Sequence, residues 1–169
     1  TAVAVQRPRQ LSIVARRLEE EAALAGEDFY YGWAVKDNNG KVSRIEGPSV
    51  DLALSAARCW GNCALESLPV QDGGDAWIFT GAFIDLETGF TLSRQFRQSK
   101  SYMVYGKMDN ERKDDIRFQI GQSKALRNVV LNALPPSIIN SAMKKAKEGV
   151  RAKVEKYIAD KGLPAAVDV

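Results

Sequence analysis

The chain has no histidine and only two cysteines, Cys59 and Cys63, in 169 residues. Without histidine the usual nucleophile–base triads and the commonest general base are excluded. Two cysteines alone give too few nitrogen and sulfur ligands for zinc, so two buried thiols in a reducing compartment are expected. Long apolar runs are missing as well. Nothing approaches the length of a membrane span, and no signal-peptide pattern opens the chain, because the first residues run straight into Arg7-Pro8-Arg9. A cytoplasmic location without a membrane partner is the expectation. Gly121-Gln122-Ser123-Lys124 has the residue types of a phosphate loop but not the Gly-Lys-Ser/Thr order that sets the lysine beside the phosphates. No dinucleotide fingerprint occurs. Asp109, Glu111, Asp114 and Asp115 could hold magnesium, but they share one loop and helix start, where Asp is stabilising without any metal. The expectation is a protein with no catalytic residues, no metal and no cofactor.

What is present suits a globular fold: 45% apolar and 27% charged residues. A single domain is expected over 1–169, with an N-terminal helical arm (1–26), a sheet-plus-helix core (27–136), a C-terminal helix (137–160) and a loose tail (161–169). Residues 10–25 carry Leu11, Val14, Ala15, Leu18 and Ala22 at helical spacing, with Gly26 as the stop. Phe29–Val35 and Lys41–Ile45 flank Asp37-Asn38-Asn39-Gly40, a hairpin signal. Gly47-Pro48 is expected to open a helix that ends at Gly61-Asn62. Residues 63–70 read as a strand and 71–75 as a loop. A long hairpin follows over 76–98, then a loop or short edge strand over 99–113. A helix is expected over roughly 114–134, with Gly121 weakening its middle, and another from Ser137 to about Asp160 after Pro135-Pro136. The fold class is α+β: an antiparallel sheet of four to five strands with a long hairpin, one inserted helix, and helices gathered at the C-terminal end. Trp33 and Trp60 are expected in the core.

Charge is unevenly distributed along the chain. Residues 1–93 hold 8 Lys and Arg against 13 Asp and Glu; residues 94–169 hold 16 against 8. A basic half favours a polyanionic partner, while a Lys-rich solvated helix is the plainer account of the last segment. Strand alternation puts Phe90, Leu92, Arg94 and Phe96 on one face and Thr91, Ser93, Gln95 and Arg97 on the other, with Lys100 just beyond. On the following helix Lys124, Arg127, Asn128 and Leu131 share a side, and Leu126, Val129, Val130, Ala133 and Leu134 share the side that buries it. Lys124 and Arg127 are either a platform for successive phosphates or two solvated charges. Tyr102 and Tyr105, in a polar segment, are candidates for stacking on bases.

The order of hairpin and basic helix resembles phage single-strand annealing proteins of the RecT/Redβ group. The resemblance rests on Ser123-Lys124-Ala125-Leu126-Arg127 and on Leu134-Pro135-Pro136-Ser137-Ile138, and covers roughly residues 76–145. It implies a Rad52/RecT-like core, of the wider Rad52-like superfamily, and an ATP-independent recombination protein acting in a bacterial host. Such a protein assembles into rings or helical filaments, holds single-stranded DNA with its bases accessible, and pairs it with a complementary strand. It also implies a partner exonuclease. Arg94, Arg97 and Lys100 would contact the backbone from the hairpin, and Lys124, Arg127 and Asn128 from the helix. Tyr102 or Tyr105 would stack on or wedge between bases. The final helix would pack on a neighbouring subunit or line the groove. A coating protein that does not anneal, and a phage structural or interaction protein, are the alternatives.

Overall fold

The computed structural model describes residues 2–161. Of the expected tail, Lys161 closes the last helix and residues 162–169 lie outside the described part. In chain order the elements are α1 (Ala2–Gln6), α2 (Leu11–Ala25), a 3-10 turn (Gly26–Phe29), β1 (Tyr30–Lys36), β2 (Val42–Pro48), α3 (Val50–Trp60), β3 (Cys63–Ser67), β4 (Gln71–Asp72), β5 (Ala76–Asp85), β6 (Thr91–Ser99), α4 (Asn110–Ala133) and α5 (Pro136–Lys161). The protein is α+β, with antiparallel sheets and several helices. The strands form two sheets where one was expected, and the chain divides into two compact units: Thr1–Gln10 with Trp60–Pro135, and Leu11–Cys59 with Pro136–Val169.

In the first unit β5 is the central strand. One edge pairs with β3 and then β4, the other with β6, all antiparallel. Cross-strand register sets Trp77 against Gln98, Phe79 against Phe96, Gly81 against Arg94 and Phe83 against Leu92. Alternation puts these pairs on the face that α4 covers. Phe118 of α4 meets Trp77 and Phe79 edge-on, with ring centroids 5.5 and 4.9 Å apart. The buried stripe of α4 is Gly121, Ala125, Val129 and Val130, so small residues let the helix lie close to the sheet. A Cβ at Gly81 would stand 3.1 Å from the Ala125 carbonyl oxygen, and one at Gly121 would stand 2.3 Å from the Phe79 ring. Gly121 is therefore the point of closest approach, which the expected weak spot in the helix did not anticipate. Leu126, expected on the buried side, is only half-buried. The helix also starts earlier than residue 114, because the Asp109 side chain caps it by accepting from Arg112 N–H at 2.7 Å.

The Asp85 end of β5 is closed by a buried latch. Arg9 lies 4.0 Å over the Trp60 ring and pairs with Asp85 at 2.9 Å, with both side chains almost wholly buried. Its Nε and Nη2 donate to the Trp60 and Gly61 carbonyls. Trp60 Nε1 donates to Asp85 at 3.0 Å, and Trp60 is core, as expected.

In the second unit α2 packs on α5. Val14, Leu18 and Ala22 face Ile139, Ala142 and Ala146, all buried. At Gly149 a Cβ would stand 2.5 Å from the Ala23 carbonyl oxygen, so the helix backbones nearly touch there. One face of α5 is thereby occupied within the chain. Pro48, expected to open α3, instead ends β2; Ser49 caps the helix by accepting from Leu52 N–H at 3.1 Å. The β1–β2 hairpin forms a two-stranded sheet of its own, and α5 reaches one of its faces. Lys147 pairs with Glu46 at 2.5 Å and lies over Tyr30. Cys59, half-buried, donates its thiol to Glu21; burial, and then the Glu21 charge, push that thiol up to about 11. No helix among the described residues is long and apolar enough to cross a membrane.

Candidate nucleic-acid interface

Lys124 stands on α4 one turn beyond Gly121, so the packing that seats Gly121 on Phe79 also aims Lys124 along the margin of β6. Its ammonium lies 5.4 Å from the Phe96 ring centroid and 4.8 Å from that of Tyr102. Burial, and then the neighbouring Arg127 charge, depress its pKa. The two rings attract the ammonium, but partial burial and the second cation beside it leave a cost that an arriving anion would relieve. Lys124 and Arg94 have no ion pair with a carboxylate among the described residues.

Tyr102 is positioned by Arg117, whose Nε donates to the Tyr102 carbonyl at 2.7 Å while Nη1 pairs with Asp114 at 2.6 Å. That pairing, and the cap at Asp109, are how this stretch uses its carboxylates. No group of three or more His, Cys, Asp or Glu able to hold a metal gathers among the described residues. Arg94 donates to Asn132 Oδ1 at 2.9 Å, and Asn132 Nδ2 donates to the Asn128 carbonyl at 2.7 Å. The Arg127 guanidinium meets Asn128 Oδ1 at 3.3 and 3.4 Å. Amide side chains thus link the hairpin cation to the helix cation in one row.

The other two candidates stand differently. Arg97 is opposite Ile78, and alternation puts it on the face away from α4; it is exposed and paired with Asp75 at 2.5 Å. Lys100 lies 5.2 Å over the Trp77 ring and is held by both Asp72 oxygens at 2.7 and 2.9 Å, which lower the Asp72 pKa. Residues 71–75, expected as a bare loop, supply a short strand and two carboxylates that neutralise these cations. Tyr105 is 84% exposed, against 44% for Tyr102. The structure thus brings together Arg94, Lys124, Arg127, Asn128 and Tyr102, and sets Arg97 apart. Phe96, Arg117 and Asn132 were not picked out by the sequence. Phe96 could have been, since it shares a strand face with Arg94; Arg117 and Asn132 act through contacts with residues far along the chain. No family model, no curated protein and no solved structure matches the chain.

Proposed function

We propose that the protein binds single-stranded DNA along the α4–β6 margin and anneals it to a complementary strand without ATP. The observation that carries this reading is Lys124, partly desolvated between Phe96 and Tyr102 and beside Arg127. Cations on a packed helix and strand lose little freedom on gripping a sugar-phosphate chain, and adjoining rings give the bases a stacking surface. Arg94, Arg127 and Asn128 extend the grip. Arg97 and Lys100 contribute less, because a phosphate there must displace an Asp carboxylate, although such surface pairs are individually weak. The step from binding to annealing rests on the resemblance to RecT/Redβ proteins, whose hairpin and basic helix this arrangement would match. So do a ring or filament of copies and a partner exonuclease. The chemistry is backbone neutralisation with bases left free to pair; no bond is broken.

Two complementary labelled oligonucleotides, mixed with protein and no nucleotide, should pair faster than alone. Binding of each strand without acceleration would reduce the reading to coating. Affinity should fall steeply with salt, and replacing Lys124 and Arg127 together with alanine should flatten the log–log slope by about 1.4. An unchanged slope would remove both residues from the interface.

A further inference from the structure

The β1–β2 hairpin presents an aromatic platform that the α4–β6 margin does not use. Register sets Tyr31 opposite Gly47 and Trp33 opposite Ile45, and these residues with Val35 and Ser43 form one face. Tyr31 lies flat across Gly47: a Cβ there would stand 2.6 Å from the Tyr31 hydroxyl oxygen and 2.8 Å from Cζ. Trp33 stacks on Tyr31 at 5.2 Å with the planes 21° apart. Trp33 is nevertheless 52% exposed and Ile45 44%, which overturns the expectation that Trp33 is core. An indole backed by a phenol and open outward is a half-built stack.

We infer that Trp33 receives an unpaired nucleobase, making this hairpin a second single-strand contact. Charge admits that occupant: Lys41 stands exposed at the turn that ends this face, while Lys36 and Arg44, also exposed, project from the opposite face of the two-strand ribbon. The hairpin's two carboxylates are engaged: Asp37 accepts the Asn39 and Lys41 N–H groups within the turn, and Glu46 pairs with Lys147. The face itself carries no carboxylate. A second copy of the chain fits less well, since a stable interface needs roughly 20–30 residues a side and this face offers six. Stacking is indifferent to base identity, as coating or annealing requires. The inference extends the DNA-binding reading to another surface but does not depend on Lys124 or Arg127.

The test compares a short oligodeoxythymidylate with an abasic phosphodiester of equal length, using intrinsic fluorescence and a binding titration. Oligodeoxythymidylate should quench the wild-type emission; the abasic strand should not. Trp33→Phe should abolish that quenching while keeping affinity within a few-fold. Trp33→Leu should weaken binding by roughly tenfold, with an unchanged circular dichroism spectrum. Equal quenching by the abasic strand, or unaltered affinity in Trp33→Leu, overturns the inference. A shift of Trp33→Leu toward smaller species without oligonucleotide also overturns it, by assigning the face to a second copy. If the Lys124→Ala, Arg127→Ala variant loses affinity while Trp33→Leu does not, the α4–β6 reading stands and this one falls. If the reverse holds, this one stands alone.

Discussion

At Gly121 two physical rules oppose each other. Replacing glycine with alanine inside a helix ordinarily gains about 1 kcal/mol. Here the new Cβ would stand 2.3 Å from Phe79 Cε2 and 2.9 Å from Gln98 Cβ. Phe79 is fully buried against Phe118, so its ring has nowhere to turn. Overpacking of this kind costs about 1–3 kcal/mol or more. Gly121→Ala should therefore lower the unfolding free energy by about 1–2 kcal/mol, read as a lower urea midpoint with an unchanged slope; a midpoint at or above wild type would mean the ring yields. The residue also marks a boundary of what sequence conveys. A glycine in a helical pattern is visible, but its reason is a phenylalanine on another element. Lys124 and Arg127 were legible because both sit on one helix, where spacing alone sets their relation. Trp33 was misread because residue type predicts burial only where an opposing layer exists.

At the level of elements, the hairpin β5–β6 and the helices α2, α4 and α5 were legible from periodicity and turn residues. Those signals are local. The division of the strands between two sheets was not, because nothing local in a strand's sequence says which partner strand it will meet. Nor was the latch that binds the Arg7–Gln10 segment to the β5–β6 turn, since Arg9 and Asp85 are distant in sequence. Burial pushes the Asp85 carboxyl up. Hydrogen bonds from Arg9, Trp60 and the Glu87 and Thr88 N–H groups outweigh it, taking the group from its ordinary 3.8 to about 2. The sign follows: the charged form is favoured on folding, so the stabilisation is complete above the unfolded value and drains away as pH falls from near 4 toward 2. It amounts to about 2 kcal/mol. Urea unfolding across that window should show stability falling with acid. Asp85→Asn should be destabilised by about 3 kcal/mol at neutral pH, because buried Arg9 loses its close counter-charge and keeps only Glu87 at 3.9 Å, and should lose part of the acid dependence. An identical acid profile in that variant would assign the effect to other carboxylates.

For the molecule as a whole, the charge asymmetry read along the chain does not survive folding. The unit containing α4 and β6 holds 11 Lys and Arg against 9 Asp and Glu, and the other holds 13 against 12. The basic C-terminal half is shared between them, so the candidate site owes its character to local arrangement and not to a bulk excess of one sign. Each unit should also open as a cooperative block. Amide exchange in low denaturant should give α2 and α5 a common opening free energy, although they lie at opposite ends of the described chain; α2 exchanging well before α5 would contradict their pairing. That pairing has a consequence during synthesis. A ribosome that has delivered residue 135 has released everything the first unit requires, while Val14, Leu18 and Ala22 still lack the surface they are to cover. Until α5 emerges, the nascent chain carries a bare apolar helix, a natural point for a chaperone to hold it.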